Sequence, residues 1–527
     1  MASGTMVSRI LGLVKAVLLA YAIGAVGSVS ADAFANGNLL PNTLYMILLG
    51  GMLNAVLVPQ IVKAAQDPDG GSGYINKVLT LVSAVLFAVT VVAMLLAPWI
   101  VWLTALAWSP EQLALATAFA YWCLPQIVFY GLYTVLGEVL NARSVFGPFT
   151  WAPVLNNVIG IAGILVFIGM FGADPEGTRT VLEWGPLSIS VLAGTATLGV
   201  VAQALILFWA WRRAGIHYRP DFAWRGMGLG RTARIASWSL ATILVMQVGG
   251  FVTNNIVATG SGVGPSTGAM GNVWLVFMMP HSVLAVSLAT AYFTRLSEWG
   301  QSGQMVPFRA DFSASARQIA LVMVLASVVL LAVSPFVSRV MNFGATQLQV
   351  DQFSAALQAY LVSLAAYSFL FVVQRAFYAL SDTRTPFLFT SLQILLVVLL
   401  SLPLLLAPDA LVGVLFAAVW SFATVVQAVI ATWLLRRRLG SIDGRRIAAS
   451  LTRYVLAAIP ALLVGLAATF GLRMWQPDFG AFIAVIFAAL VAGVVTIVYL
   501  LMLRVLRSPE LAELTTFIAR RFGRNHS

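Results

Sequence analysis

The stretch Met6-Val-Ser-Arg-Ile-Leu-Gly-Leu-Val-Lys-Ala-Val-Leu-Leu-Ala-Tyr-Ala-Ile-Gly-Ala-Val-Gly27 is long and apolar enough to cross a bilayer as a helix, and it contains Lys15. About eight residues separate Lys15 from the start of the stretch, which is a depth of roughly 12 Å in a helix. A lysine at mid-bilayer costs about 2.5–3.5 kcal/mol on insertion scales and usually faces a bundle interior or a watery cavity. The stretch therefore predicts a membrane helix with a functional cation. Snorkelling of Lys15 to the interface is the alternative.

The composition of the whole chain assigns it to one structural class. Of its 527 residues 60% are hydrophobic and only 9% are charged, whereas soluble chains have about 25% charged residues. Long apolar runs, rather than short alternating segments, also exclude a β-barrel. We therefore predict an all-α polytopic membrane protein.

The reactive residue types give no sign of catalysis. Cys123 is the single cysteine, and His217, His281 and His526 are far apart, so neither a disulfide framework nor a metal site is expected. No nucleophile motif, phosphate-binding loop or pair of intramembrane carboxylates occurs. These residues therefore predict neither an enzyme nor a protein with a cofactor or metal.

Hydrophobic windows predict fourteen transmembrane helices. Their bounds are 6–27, 40–64, 78–103, 112–140, 149–171, 186–211, 233–259, 268–292, 315–338, 352–379, 386–407, 409–435, 449–472 and 480–504. The break between the eleventh and twelfth spans falls at Pro408-Asp409.

The basic residues alternate between the loops that these spans define. Loops after the even-numbered spans hold nearly all of them, and the opposite loops hold only Arg179, Arg339 and Arg473 of the 30 lysines and arginines. The positive-inside rule then places both termini in the cytoplasm. The net charge of +12 is accordingly assigned to orientation and to anionic membrane lipids as partners, not to nucleic acid.

Short similarities relate the two halves of the chain. Phe129-Tyr-Gly-Leu-Tyr133 with Pro148-Phe149 matches Tyr367-Ser-Phe-Leu-Phe371 with Pro386-Phe387, and Gly37-Asn38 matches Gly271-Asn272. These matches align each span with the span that comes six later in the chain. They predict two six-helix lobes related by a pseudo-two-fold axis along the membrane normal, plus two extra C-terminal helices. Two helix-turn-helix units that merely look alike are the alternative.

This repeat divides the chain into five parts. They are an N-lobe at 1–213, a cytoplasmic linker at 214–232, a C-lobe at 233–438, a pair of helices at 439–505 and a basic cytoplasmic tail at 506–527.

Two further ionisable residues near Lys15 are candidates for the same site. Arg9 is either a cation at a cavity mouth or an ordinary positive-inside anchor. Asp32 follows on a short loop, where it either faces the cavity or caps the turn before the second span.

The second span carries residues that suit a hinge. Pro41 and Asn42 stand near its predicted start, where a proline in the first turn costs no hydrogen bond. Gly50 and Gly51, deeper in the span, permit bending or close packing.

Several motifs resemble the MurJ/MviN family. Ser8-Arg-Ile-Leu-Gly-Leu-Val-Lys15, Ala31-Asp-Ala-Phe34, Leu40-Pro-Asn42 and Val58-Pro59 are similar to its N-terminal signature, and Arg375-Ala-Phe-Tyr-Ala-Leu-Ser-Asp-Thr-Arg-Thr-Pro386 is similar to its strongest C-lobe motif, with Arg375, Asp382 and Arg384 as its charged members. Leu124-Pro-Gln126 and Trp151-Ala-Pro-Val-Leu-Asn-Asn157 resemble the actinobacterial branch.

The resemblance implies a function. Members of this family, in the MATE/polysaccharide-exporter superfamily, are lipid II flippases that work by alternating access. The implied substrate is undecaprenyl-diphosphate-linked disaccharide-pentapeptide, moved across the bacterial cytoplasmic membrane, with a groove at the last two spans for its lipid tail. Cell-wall synthesis or division proteins are further expected partners.

The matching motif positions imply a substrate site at Arg9, Lys15, Asp32 and Asn42. Lys15 stands where the family usually has arginine, and Tyr45 and Leu275 stand where relatives often have arginine. The sequence leaves two alternatives open: an exporter of drugs or of another lipid-linked glycan, and a non-transporting scaffold for cell-wall synthesis.

Overall fold

The computed structural model describes residues 2–47, 71–216, 218–223 and 229–511, in which the regular structure is helical without β-strands. The α-helices of these residues are α1 Ala2–Ile23, α2 Val29–Tyr45, α3 Ser72–Leu95, α4 Ala97–Thr104, α5 Pro110–Cys123, α6 Gln126–Ala142, α7 Gly147–Phe171, α8 Pro186–Arg213, α9 Leu229–Ala258, α10 Thr267–Pro280, α11 Val286–Gln301, α12 Met305–Met341, α13 Gln347–Leu361, α14 Leu364–Ala379, α15 Arg384–Ser401, α16 Asp409–Leu439, α17 Gly444–Trp475 and α18 Ala481–Val505.

The membrane spans largely follow the hydropathy of the sequence. In the described part of the chain 12 helices are long and apolar enough to cross a membrane, or 13 if the bent pair α13–α14 is one span. Each predicted span other than 40–64 coincides with one of these. Because most of 40–64 lies outside the described residues, the total of fourteen stays a prediction.

Two predicted spans are interrupted where proline disturbs the backbone. The fourth, predicted as continuous over 112–140, consists of α5 and α6 with a break before Pro125, which has no N–H to donate. The third, predicted at 78–103, begins at Ser72 and breaks at Leu96, before Pro98. The predicted break at Pro408-Asp409 is confirmed, since α16 begins at Asp409.

The chain forms two compact units. The first consists of Met1–Asn272, Gly344–Gln349 and Ser401–Gly413, and the second of Val273–Phe343, Val350–Leu400 and Val414–Ser527. The two symmetric lobes and their bounds remain a prediction.

Close packing in the first unit depends on a glycine of the repeat. Gly37, on the buried face of α2, lies against α5, beside the edge-to-face rings of Phe34 and Phe119 at 5.3 Å. A Cβ atom at position 37 would lie 2.9 Å from the backbone nitrogen of Ala120 and 3.0 Å from the carbonyl oxygen of Ala116. Backbone atoms cannot move aside as a flexible side chain can, so only glycine fits.

We expect Gly37→Ala to destabilise the protein by about 1–3 kcal/mol, the usual cost of overpacking. At Gly271, its counterpart in the repeat, a Cβ atom would have no neighbouring side chain or other helix within 4 Å. Gly271→Ala should therefore leave stability unchanged. Thermal unfolding of the detergent-purified variants measures both effects. Equal melting temperatures for Gly37→Ala and the wild type would contradict this packing.

The sequence similarity between the α6–α7 junction and the α14–α15 junction extends to the backbone. Each of the helices α6 and α14 is followed, two residues past its last residue, by a serine with positive φ: Ser144 at 60° and Ser381 at 58°. In both places the next amide closes the helix end: Val145 N donates to Leu140 O at 2.8 Å, and Asp382 N donates to Phe377 O at 2.9 Å. The two helix ends are therefore similar in local backbone structure as well as in sequence.

In the second unit the last two helices pack on α12. Thr469 of α17 donates to Ala332 O at 2.8 Å, and Tyr499 of α18 donates to Leu321 O at 3.1 Å. In the first half of α12, Arg317 forms an ion pair with Glu510, which follows α18, and both side chains are buried.

Candidate functional site

Lys15 lies in a gap that a glycine on a neighbouring helix leaves open. A Cβ atom at Gly160 of α7 would lie 2.7 Å from Lys15 Cε and 2.9 Å from Lys15 Nζ. The lysine is partly buried, and its ammonium group has no hydrogen-bond or ion-pair partner in the described residues. Within the described part of the chain it is thus a positive charge without a counter-charge, which leaves it free to bind an anion.

Arg9 lies on the same helix at a second level. It is also partly buried, and its guanidinium has no partner among the residues that the structure describes. Six residues correspond to about 9 Å of rise and about 120° of rotation along a helix. The two cations therefore present charge at two depths rather than on one face.

The helix carrying both cations is held in place by α7. Asn157 Nδ2 donates to Ser8 O at 2.8 Å and lies 3.3 Å from Ser8 Oγ. Since Ser8 directly precedes Arg9, this bond fixes the backbone at the first cation. Asn157 and Gly160 thus support the predicted site, although the sequence had not indicated these roles.

We expect Gly160→Ala to displace the Lys15 ammonium and to lower any transport that depends on it by about three- to tenfold, the effect of one weakened charged hydrogen bond. Gly169→Ala on the same helix is the matched control, because a Cβ atom at position 169 would have no neighbouring side chain or other helix within 4 Å. Transport assays normalised to the amount of folded protein compare the two variants. Equal activity in both would show that the position of Lys15 does not matter.

A cavity of about 260 Å³ lies in the first unit, beyond Lys15 along α1. The predicted site residue Asn42 contributes to its wall. The full lining is Leu19, Ala20, Ile23, Gly24, Ala25, Ala31, Phe34, Ala35, Asn38, Leu39, Asn42, Thr267, Gly268, Gly271 and Asn272.

Asp32 is buried instead of standing on a loop. It lies in the first turn of α2, whose N-cap is Ser28, so the predictions of a loop position and of a turn cap at Asp32 were wrong. Its carboxylate accepts hydrogen bonds from Ser261 Oγ at 2.6 Å and from Gly268 N at 2.8 Å. Asp32 therefore joins α2 to the connection that follows α9 and to the first turn of α10, and its contact with substrate stays a prediction.

The predicted hinge residues have a different setting from the one expected. Because α2 begins at Val29, Pro41 lies inside the helix and is buried, and the prediction that it stands in the first turn was wrong. The polar residues before Leu40 hid this early start from a hydropathy reading. Gly50 and Gly51 lie outside the described residues.

The charged motif residues of the second unit have local structural contacts. Asp382 caps α15 by accepting from Thr385 N at 2.9 Å and from Thr385 Oγ1 at 2.7 Å. The Arg375 guanidinium lies over the Phe371 ring at 4.8 Å and the Phe293 ring at 5.1 Å. Arg384 is exposed in the first turn of α15.

Metal coordination has no candidate in the described part of the chain, where no group of three or more His, Cys, Asp or Glu side chains comes together.

Comparison with known proteins extends over nearly the whole chain. A probable lipid II flippase MurJ of Haemophilus influenzae is 25% identical over 489 residues, which cover 86% of this chain and 89% of the relative. A solved structure of the lipid II flippase MurJ in an inward closed conformation has a TM-score of 0.71 at 19% identity and covers 95% of this chain and 98% of its own.

The fold is also similar to that of multidrug resistance MATE family transporters. An inward-facing structure has a TM-score of 0.65 at 15% identity, covering 83% of this chain and 96% of its own. An outward-facing structure has a TM-score of 0.57 at 16% identity, covering 84% and 94%. One fold thus occurs in both states that alternating access requires. The family model for the lipid II flippase MurJ matches residues 19–513, and this chain therefore belongs to the MurJ family.

Proposed function

We propose that this chain moves lipid II from the cytoplasmic to the outer leaflet of a bacterial cytoplasmic membrane by alternating access, with Arg9 and Lys15 contacting the diphosphate. The observation that supports this site is the pair of partly buried cations on α1, which have no partner among the residues that the structure describes. Family membership carries the transport function. Both termini are proposed to be cytoplasmic, and the basic loops to contact anionic lipids.

The chemistry of the substrate requires such cations. A diphosphate loses hydration when it enters a cavity, and burying unpaired charge is costly. Charge-assisted hydrogen bonds from lysine and arginine offset that cost. Lysine acts as a point charge, whereas arginine can bind two oxygens at once. Lys15 in place of the family arginine therefore favours easier release of the headgroup.

The missing family cations increase the importance of the two that remain. Tyr45 hydrogen-bonds Thr134 at 2.7 Å, so the position that is often arginine in relatives takes part here in a neutral contact. With Leu275 at the other such position, Arg9 and Lys15 supply a larger share of the binding energy.

Alternating access also needs contacts that can break. We propose that the Asp32 carboxylate is one, because its bonds to Ser261 and Gly268 join separate parts of the first unit. The membrane potential is a proposed energy source, since outward movement of negative charge gains about 2.3 kcal/mol per charge per 100 mV.

Depletion of the protein in cells tests the function. Lipid II should then accumulate where an externally added lipid II-degrading enzyme cannot reach it, and re-expression should restore access. Unchanged accessibility after depletion would contradict the proposal. Accumulation of a different lipid-linked glycan would instead identify another substrate.

A further inference from the structure

The cavity beyond Lys15 is lined mainly by apolar residues, and the few polar side chains in its wall carry no charge. Its polar side chains are the amides of Asn38, Asn42 and Asn272 and the hydroxyl of Thr267, with no acidic or basic residue in the wall. A diphosphate would be poorly accommodated there, because nothing offsets its charge. Neutral donors and acceptors suit neutral partners.

The amides are available for a ligand. Within the described residues the side chains of Asn42 and Asn272 make no hydrogen bond, and Asn38 Oδ1 accepts only one, from Gln126 Nε2 at 3.3 Å. Asn38 and Asn42 are four residues apart on α2 and so share one helix face. The repeat relates Asn38 to Asn272, and the fold brings both to the same cavity.

The position of the cavity relative to Lys15 is set by α1. Leu19 and Ile23 line the cavity, and with Lys15 they form an i, i+4, i+8 row on one helix face. They lie about 6 and 12 Å further along the axis than Lys15. A group bound in the cavity would thus lie about one to two helix turns from Lys15 along α1.

The size of the cavity limits what it holds. Its 260 Å³ is just below the range of about 300–1,000 Å³ that is usual for small-molecule pockets. One sugar fits this space, and a disaccharide with a pentapeptide does not.

We propose that Asn38, Asn42 and Asn272 form an uncharged subsite that hydrogen-bonds the sugar attached to the diphosphate of the substrate. This inference rests on the proposed function. It divides recognition between two levels of the same site: Lys15 binds the charge and the asparagines bind the sugar.

Equilibrium binding of two lipids to the purified full chain separates the two levels. Lipid II has the sugars, and undecaprenyl diphosphate lacks them. The double variant N42A/N272A should bind lipid II about tenfold more weakly, the loss expected for two neutral hydrogen bonds, and should bind undecaprenyl diphosphate within about twofold of the wild type. Lys15→Ala should weaken the binding of both lipids.

The single variants Asn42→Ala and Asn272→Ala, each expected to lose about threefold for lipid II alone, test the subsite if the double variant fails to fold. Equal weakening of both lipids, or weakening of neither, in folded variants would overturn the subsite while leaving the proposed function intact. If the wild type binds neither lipid, the proposed function falls and the subsite with it.

Discussion

Lys15→Ala is expected to lower lipid II transport by about tenfold or more while the protein remains folded in the membrane, because a hydrogen bond to a charged group contributes about 1.5–3 kcal/mol. The lysine has no protein counter-charge in the described residues, so its removal leaves no orphaned partner and should not destabilise the fold. Growth of cells that depend on the variant, with membrane abundance measured in parallel, reports the effect. Arg9→Ala should act in the same direction.

Two matched variants separate charge from other causes. Lys15→Arg keeps the charge at the position and should retain transport. Lys77→Ala on α3 removes an equal charge elsewhere in the first unit. Cells that depend on this variant should grow normally. Full growth of cells with the Lys15→Ala and Arg9→Ala variants would exclude a role of these cations in transport and would favour a scaffold function.

Glu510→Gln is expected to lower the free energy of unfolding by about 3–5 kcal/mol, the usual cost of removing one partner from a buried ion pair. The Arg317 and Glu510 side chains are 7% and 2% exposed, so the variant leaves a buried guanidinium without its counter-charge. Asp351→Asn is the matched control. Its pair with Arg473 is much more exposed and should contribute about 1 kcal/mol or less.

The same pair predicts a pH dependence. Burial raises the pKa of Glu510, but hydrogen bonds from its own backbone and from Arg317, Ser450 and Ser508 outweigh it and lower the pKa from 4.5 to about 2. A lowered folded-state pKa stabilises the protein above the unfolded value, and this stability is lost as the pH falls from about 4.5 toward 2.

Melting temperatures of purified protein across this range should fall for the wild type more steeply than for Glu510→Gln. Parallel pH profiles would contradict the assignment of the ion pair.

Much of the helical architecture could be predicted because lipid leaves the backbone few choices. Every polar backbone group inside a bilayer needs an internal partner, so long apolar runs become helices. That reasoning placed the break at Pro408-Asp409 correctly. It failed at α2, where polar residues begin a helix that tertiary contacts satisfy: Ser30 donates to Arg179 O at 3.1 Å, and Asp32 accepts from Ser261 and Gly268.

The candidate site was predictable only in part, for a related reason. An intramembrane lysine is conspicuous by its cost, so Lys15 could be found from sequence alone. The role of Gly160 depends on a contact with a residue 145 positions away, and a glycine in an apolar helix gives no sign of it. Asn272 was visible as a member of the repeat, but only the fold shows that it shares a cavity with Asn38.

The most direct test of transport uses purified protein in liposomes that contain lipid II. Lipid II on the inner leaflet should become accessible to an external degrading enzyme when the wild-type protein is present, and much more slowly with the Lys15→Ala variant. Accessibility equal to that of protein-free liposomes would contradict the account. Equal rates for the wild type and Lys15→Ala would retain the flippase function but refute the role of this cation.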